Sequence, residues 1–169
     1  MNYLGFDQNK VEETVSALND LLCNYHIYYQ NLRNFHWNIS GPNFFELHNQ
    51  FEELYDDARM KIDEIAERIL TLRHRPLSTI KDYMEHAEIK EPGVISNDRE
   101  MVLILLDNHR VLIDRFRKVI KKADDANDEG TIDMIGGFLE DLEKKSWMLD
   151  AWSIQNKNIR NKSDQPVMN

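Results

Sequence analysis

His36, His48, Glu52, Asp63 and Glu67 are all metal-ligand types, and all lie between Asn34 and Arg75. Imidazole nitrogen with carboxylate oxygen suits a cation such as Fe(II) or Zn(II). His48, Glu52, Asp63 and Glu67 follow one another at intervals of four, eleven and four residues, which return nearly to one face of an α-helix. Each comes one residue after a core-type position (Leu47, Phe51, Ile62 and Ala66), so the stripe is turned about 100° from the buried face. A stripe of acids is ordinarily a solvated face and a lone histidine ordinarily a hydrogen-bonded one, and Arg59 and Arg68 offer charge balance without a metal. Against that, the two histidines bracket a tight Ser40-Gly41-Pro42 hinge and share a face with three carboxylates.

Length limits how these residues can act together. His48 and Asp63 are 15 residues apart, about 22 Å along a helix, whereas ligands sit about 2 Å from a metal ion. No single centre can take both from one chain. If they share a centre, it is built by two chains. An antiparallel pair about a twofold axis brings His36 and His48 of one copy onto Asp63 and Glu67 of another, and twofold contacts are the commonest in oligomers.

The elements that must position these residues read as long helices. In the first, about Gln8 to Asn38, Val11, Val15, Leu18, Leu22, Tyr25, Tyr29 and Leu32 recur at spacings of four and three. The hinge stops it, and Asn43 with Glu46 has the pattern of a capping box for a second helix. That helix runs to about Leu72, burying Leu47, Phe51, Leu54, Ala58, Ile62, Ile65 and Ile69, and Pro76 ends it. A short helix fits Thr79 to Ala87 within the connection Leu77 to Ser96. The third long helix spans about Asp98 to Ala123, with Asn97 and Glu100 as a cap pair. Asp124 to Gly130 reads as an acidic linker before a fourth helix from about Thr131 to Asn158, which buries Ile135, Leu139, Leu142 and Leu149. Four long helices with one long crossover make an all-α four-helix bundle.

A length of 169 residues, 41% hydrophobic and 30% charged, suits one globular domain over 1–169, with ends frayed at about 1–7 and 160–169. No apolar run is long enough for a membrane span, and the start MNYLGFDQNK lacks the pattern of a signal peptide. The lone Cys23, within the first helix, reads as a small buried hydrophobe and favours a reducing, cytoplasmic setting. A net charge of −9 attracts cations and weighs against nucleic acid as the main partner.

The run His36-Trp37-Asn38-Ile39-Ser40-Gly41, then Leu47-His48 with Glu52, resembles the signature of the Dps family, the mini-ferritins of the ferritin-like superfamily. Asp63-Glu64-Ile65-Ala66-Glu67-Arg68 matches the family's second motif, and Trp147-Met148-Leu149-Asp150-Ala151-Trp152 is similar to its aromatic close. The resemblance extends over nearly the whole chain, including the short helix in the middle connection. It implies a ferritin-like fold and a hollow homododecamer that oxidises Fe(II) with hydrogen peroxide and stores Fe(III) mineral. By matching position, His36, Asp63 and Glu67 would hold the first iron, and His48 the second, with Glu52 directly or through water. Trp37 would intercept stray oxidising equivalents or pack as an interface aromatic. Consistent with an interface centre, no Glu has a His three residues later, so the Glu-x-x-His motif of larger ferritins is missing.

Asp128, Glu129 and Asp133, with Asp124 and Asp125, fall where family members line a threefold pore with carboxylates, an uptake route for iron. Two departures stand out. Arg73 occupies the end of the second helix where the family commonly has glycine, and the lysine-rich N-terminal arm of DNA-binding members is missing. Lys157, Arg160 and Lys162 near the C-terminus are a thin substitute. The resemblance therefore implies a cytoplasmic ferroxidase, with nucleoid association as the further option. The alternatives are a DNA-compacting module with secondary iron chemistry, which the charge makes weak, and a structural bundle whose site holds zinc in place of iron.

Overall fold

The computed structural model describes residues 4–163, except the side chains of Gln8 and of residues 155–163. Five helices follow in order: α1 (Gln8–Asn38), α2 (Phe44–Thr71), α3 (Ile80–His86), α4 (Asp98–Asp125) and α5 (Glu129–Ser163). Strands do not occur among the described residues. Helices α1, α2, α4 and α5 form a ferritin-like four-helix bundle, and α3 packs on α1. The stretch between α2 and α4 makes these two helices run parallel, the single crossover expected.

The core is the apolar face of each helix. Val11, Leu18, Leu22, Tyr25 and Leu32 of α1 meet Leu47, Phe51, Leu54 and Ile65 of α2, with Leu105, Leu112 and Phe116 of α4 and Ile135 and Leu142 of α5. Tyr29, Ile62 and Leu139, expected inside, are only half-buried. Lys61 takes the buried place on α2 instead, because its ammonium is held by Asp57 at 2.8 Å and by Asp141 of α5 and lies over the Phe138 ring. Cys23 is fully buried, and burial first, then Asp20 and Asp82, pushes its thiol up to about 11. It is a thiol that packs.

A ladder of asparagines on α1 latches the crossover. Asn19 accepts from the Leu77 amide, Asn24 from those of Glu88 and Ile89, while Asn31 and Asn34 donate to the carbonyls of Lys90 and Gly93. Buried backbone groups of an irregular connection need such partners. Thr79 and Asp82 form a full capping box for α3, and Asn97 caps α4 by accepting from the Glu100 amide at 2.9 Å.

Several expected boundaries shift. Asn43 makes no capping bond at α2; its amide donates instead to Asp98 at 2.7 Å, tying the hinge to the start of α4. Helix α4 continues through Asp125 and α5 begins at Glu129, so the acidic linker shrinks to 126–128. Asn127 adopts a left-handed φ of 54°, and the Asn127 and Asp128 amides donate back to Asp124 and Ala123, closing the helix tightly. Arg73 does the same for α2, with φ 68° and bonds from Arg73 to Leu70 and His74 to Ile69. At the start, Phe6 packs on the core and Asp7 caps α1, so order begins before residue 8. At the other end α5 passes Asn158 and continues to Ser163, while residues 1–3 and 164–169 of the expected frayed ends lie outside the described residues.

Candidate metal centre

The hinge between α1 and α2 brings His36 and His48 together. Gly41, at φ 96°, supplies a backbone conformation that other residues rarely adopt, and Asn34 braces the end of α1 by accepting from Asn38 at 2.9 Å. The two imidazoles then stack, ring centroids 3.8 Å apart and planes 20° from parallel. Nδ1 of His36 bonds to the His48 carbonyl at 2.8 Å, and Nδ1 of His48 bonds to the His36 carbonyl at 2.8 Å. A carbonyl can only accept, so both Nδ1 atoms carry the proton. With Nδ1 of each ring engaged by a carbonyl, Nε2 is the nitrogen left for a metal, and neither Nε2 has a hydrogen-bond partner among the described residues. Carbonyl bonding of this kind fixes tautomer and ring angle in metal-ligating histidines.

Aromatic rings clamp the pair. Phe44 stacks on His48 at 4.9 Å and Tyr55 meets His36 in a T-shaped contact at 5.3 Å. Glu52, one turn beyond His48, accepts a hydrogen bond from the Tyr55 hydroxyl at 3.2 Å. Burial first, then that carboxylate, raises the Tyr55 phenol above its usual value of 10.0, so it stays a donor at neutral pH. Tyr55 does not stand out by metal-ligand type, although its place three residues after Glu52 puts the two on adjacent turns.

Asp63 and Glu67 are exposed on the same continuous helix, about four and five turns from His48. Among the described residues no ion pair engages either carboxylate, and no three His, Cys, Asp or Glu side chains of one chain converge as a metal cage. Arg68, a possible neutraliser of this stripe, turns away to Asp128 and Thr131. Trp37 is exposed, with the Arg33 guanidinium 4.8 Å from its ring centre and Tyr29 on the other contact of that guanidinium at 5.2 Å.

The acidic group at the α4–α5 corner divides. Glu129 and Asp133 are exposed, as are Asp124 and Asp125. Asp128 departs from the pore expectation: its carboxylate is fully buried, pairs with Arg68, and accepts from the Thr131 amide at 3.1 Å. It caps α5 and fastens α2 to it. Of the other histidines, His26 stacks on Tyr83 at 3.7 Å and burial lowers it to about 4. His109 lies in the core between the Tyr28 hydroxyl and Ser146, each at 2.8 Å.

A model of the ferritin-like domain matches residues 15–155. A DNA protection during starvation protein of Porphyromonas gingivalis is 40% identical over 149 residues, 88% of this chain and 94% of the relative. A solved Dps protein of Vibrio cholerae O1, described as a member of a broad superfamily of ferritin-like diiron-carboxylate proteins, superposes with TM-score 0.88 at 41% identity, covering 90% of this chain and 96% of that one. The chain belongs to the Dps family. A Dps protein from Bacillus brevis is similar in the same way, with TM-score 0.83 and 38% identity over 86% of this chain and 98% of its own. Dps membership supports a role in iron storage and DNA protection, with iron as the metal and ferroxidase activity as the general chemistry. None of the helices among the described residues is long and apolar enough to cross a membrane.

Proposed function

We propose that this chain is a cytoplasmic ferroxidase and iron store that oxidises Fe(II) with hydrogen peroxide at a centre shared by two copies, and holds the ferric mineral inside a hollow dodecamer. The observation that carries the reading is the reciprocal bonding of His36 and His48, which leaves two fixed Nε2 atoms side by side to bind metal. His36 supplies one donor to the first iron, completed by Asp63 and Glu67 of a second copy. His48 with Glu52 serves the second iron. The carboxylates stabilise the Fe(III) product.

Two Fe(II) ions give one electron each to one peroxide, which takes up two protons and leaves as two waters. No odd electron remains to release hydroxyl radical. Removal of iron and peroxide together protects DNA without touching it, which suits a net charge of −9. Exposed Glu129 and Asp133, with Asp124 and Asp125, form the acidic face that draws Fe(II) toward the interior.

Anaerobic Fe(II) loading followed by peroxide tests the reading, with ferric absorbance followed in the wild type and in a His36→Ala, Asp63→Ala variant whose assembly is checked by size. Rapid oxidation at about two irons per peroxide, lost in the assembled variant, is expected. Equal slow oxidation in both would show the residues to be structural, with zinc-like binding as the alternative use of the site.

A further inference from the structure

Tyr55 joins the two halves of the centre contributed by one chain. Its hydroxyl donates to Glu52 Oε1 at 3.2 Å, and its ring lies T-shaped to His36 at 5.3 Å with planes 85° apart. A second T-shaped contact, to Tyr29 at 6.1 Å, fixes the phenol ring against α1. Glu52 is otherwise an exposed helix carboxylate with freely rotating bonds. Holding one carboxylate oxygen leaves the other to bind and removes rotamer freedom that metal binding would otherwise have to freeze.

We propose that Tyr55 is a positioning residue of the centre, aligning Glu52 through its hydroxyl and His36 through its ring. It touches neither metal nor peroxide and acts through the two ligands. The inference rests on the ferroxidase reading of the site. It adds that one tyrosine couples the ligand of the second metal to the ligand of the first.

The test is anaerobic titration with Co(II), a redox-inert stand-in for Fe(II), read by its visible absorption and run on the assembled oligomer. The proteins are wild type, Tyr55→Phe, Tyr55→Leu, Glu52→Gln and the Tyr55→Phe, Glu52→Gln double variant. Tyr55→Phe keeps the ring and should weaken only one of the two Co(II) sites, the one Glu52 serves, by about tenfold or more. In the Glu52→Gln background the same substitution should have no further effect, because its target is gone. Tyr55→Leu should weaken both sites, since His36 loses its ring contact as well.

A merely structural role would lower the melting midpoint and affect both backgrounds alike. Wild-type affinities in Tyr55→Phe, or an equal loss with and without Glu52, would overturn the proposal while leaving the centre intact. If wild type binds no more Co(II) than the assembled His36→Ala, Asp63→Ala variant, the centre itself is refuted and Tyr55 with it.

Discussion

Subunit mixing gives a numerical test of whether the centre is shared. One variant carries His36→Ala with His48→Ala, the other Asp63→Ala with Glu67→Ala. Helix α2 is unbroken from Phe44 to Thr71, so the 15 residues from His48 to Asp63 span about 22 Å and one chain cannot close the site. Each variant alone should be nearly inactive, because every interface lacks the same half of both its centres. In a mixed twofold pair, the histidines of the acid-depleted chain face the intact acids of the histidine-depleted chain. That centre is whole, and its twin lacks both histidines and both of the facing acids. Random reassembly of equal amounts makes about half of the pairs mixed, so about a quarter of all centres are restored.

The assay is peroxide-driven ferric absorbance after joint unfolding and reassembly. Mixed oligomers are recognised by ion exchange, since the acid-depleted chain has lost two negative charges. Activity near a quarter of wild type is expected. Activity no greater than the sum of the two variants, in oligomers that have demonstrably mixed, would refute the shared centre and the length argument behind it.

Asp128→Ala removes the cap of α5 and one partner of a buried ion pair, and should destabilise by about 3 kcal/mol, read as a denaturation midpoint at fixed protein concentration. An unchanged midpoint would mean the pair with Arg68 contributes little. His109 is lowered from 6.5 to about 3, by burial first and then by Lys145 and Lys61, so its contribution is full above the unfolded value. It is lost as pH falls from about 6.5 toward 3, because the unfolded chain takes up that proton first. His109→Gln should reduce the slope of this part of the stability profile, leaving the share of His26, which is lowered to about 4, and the loss at lower pH. Asp141 acts there: burial raises it, but hydrogen bonds from Lys145 and Lys61 outweigh burial and hold it below 3.8. Arg73→Gly should stabilise by about 1 kcal/mol, because only glycine is unstrained at φ 68°. A lower melting midpoint would show that the arginine side chain itself holds the turn.

The helices, the crossover and the ligand stripe follow from the sequence because each depends on local periodicity. Apolar spacing of three and four residues defines α1 and α2, and the same arithmetic excludes a one-chain centre from His48 and Asp63 alone. Side-chain partners distant in the chain do not follow. Asn43 fits a capping box as well as it fits the bond to Asp98, and only the approach of α4, 55 residues away, selects between them. Asp128 reads as one more acid in a linker until Arg68 is packed over it. Lys61 defeats the expectation that lysine is exposed, because carboxylates on two helices meet its ammonium in the bundle. The stacked His36 and His48 stand between these cases. Their identity is local, but the two crossed Nδ1–carbonyl bonds exist only after the hinge has folded the end of α1 onto the start of α2.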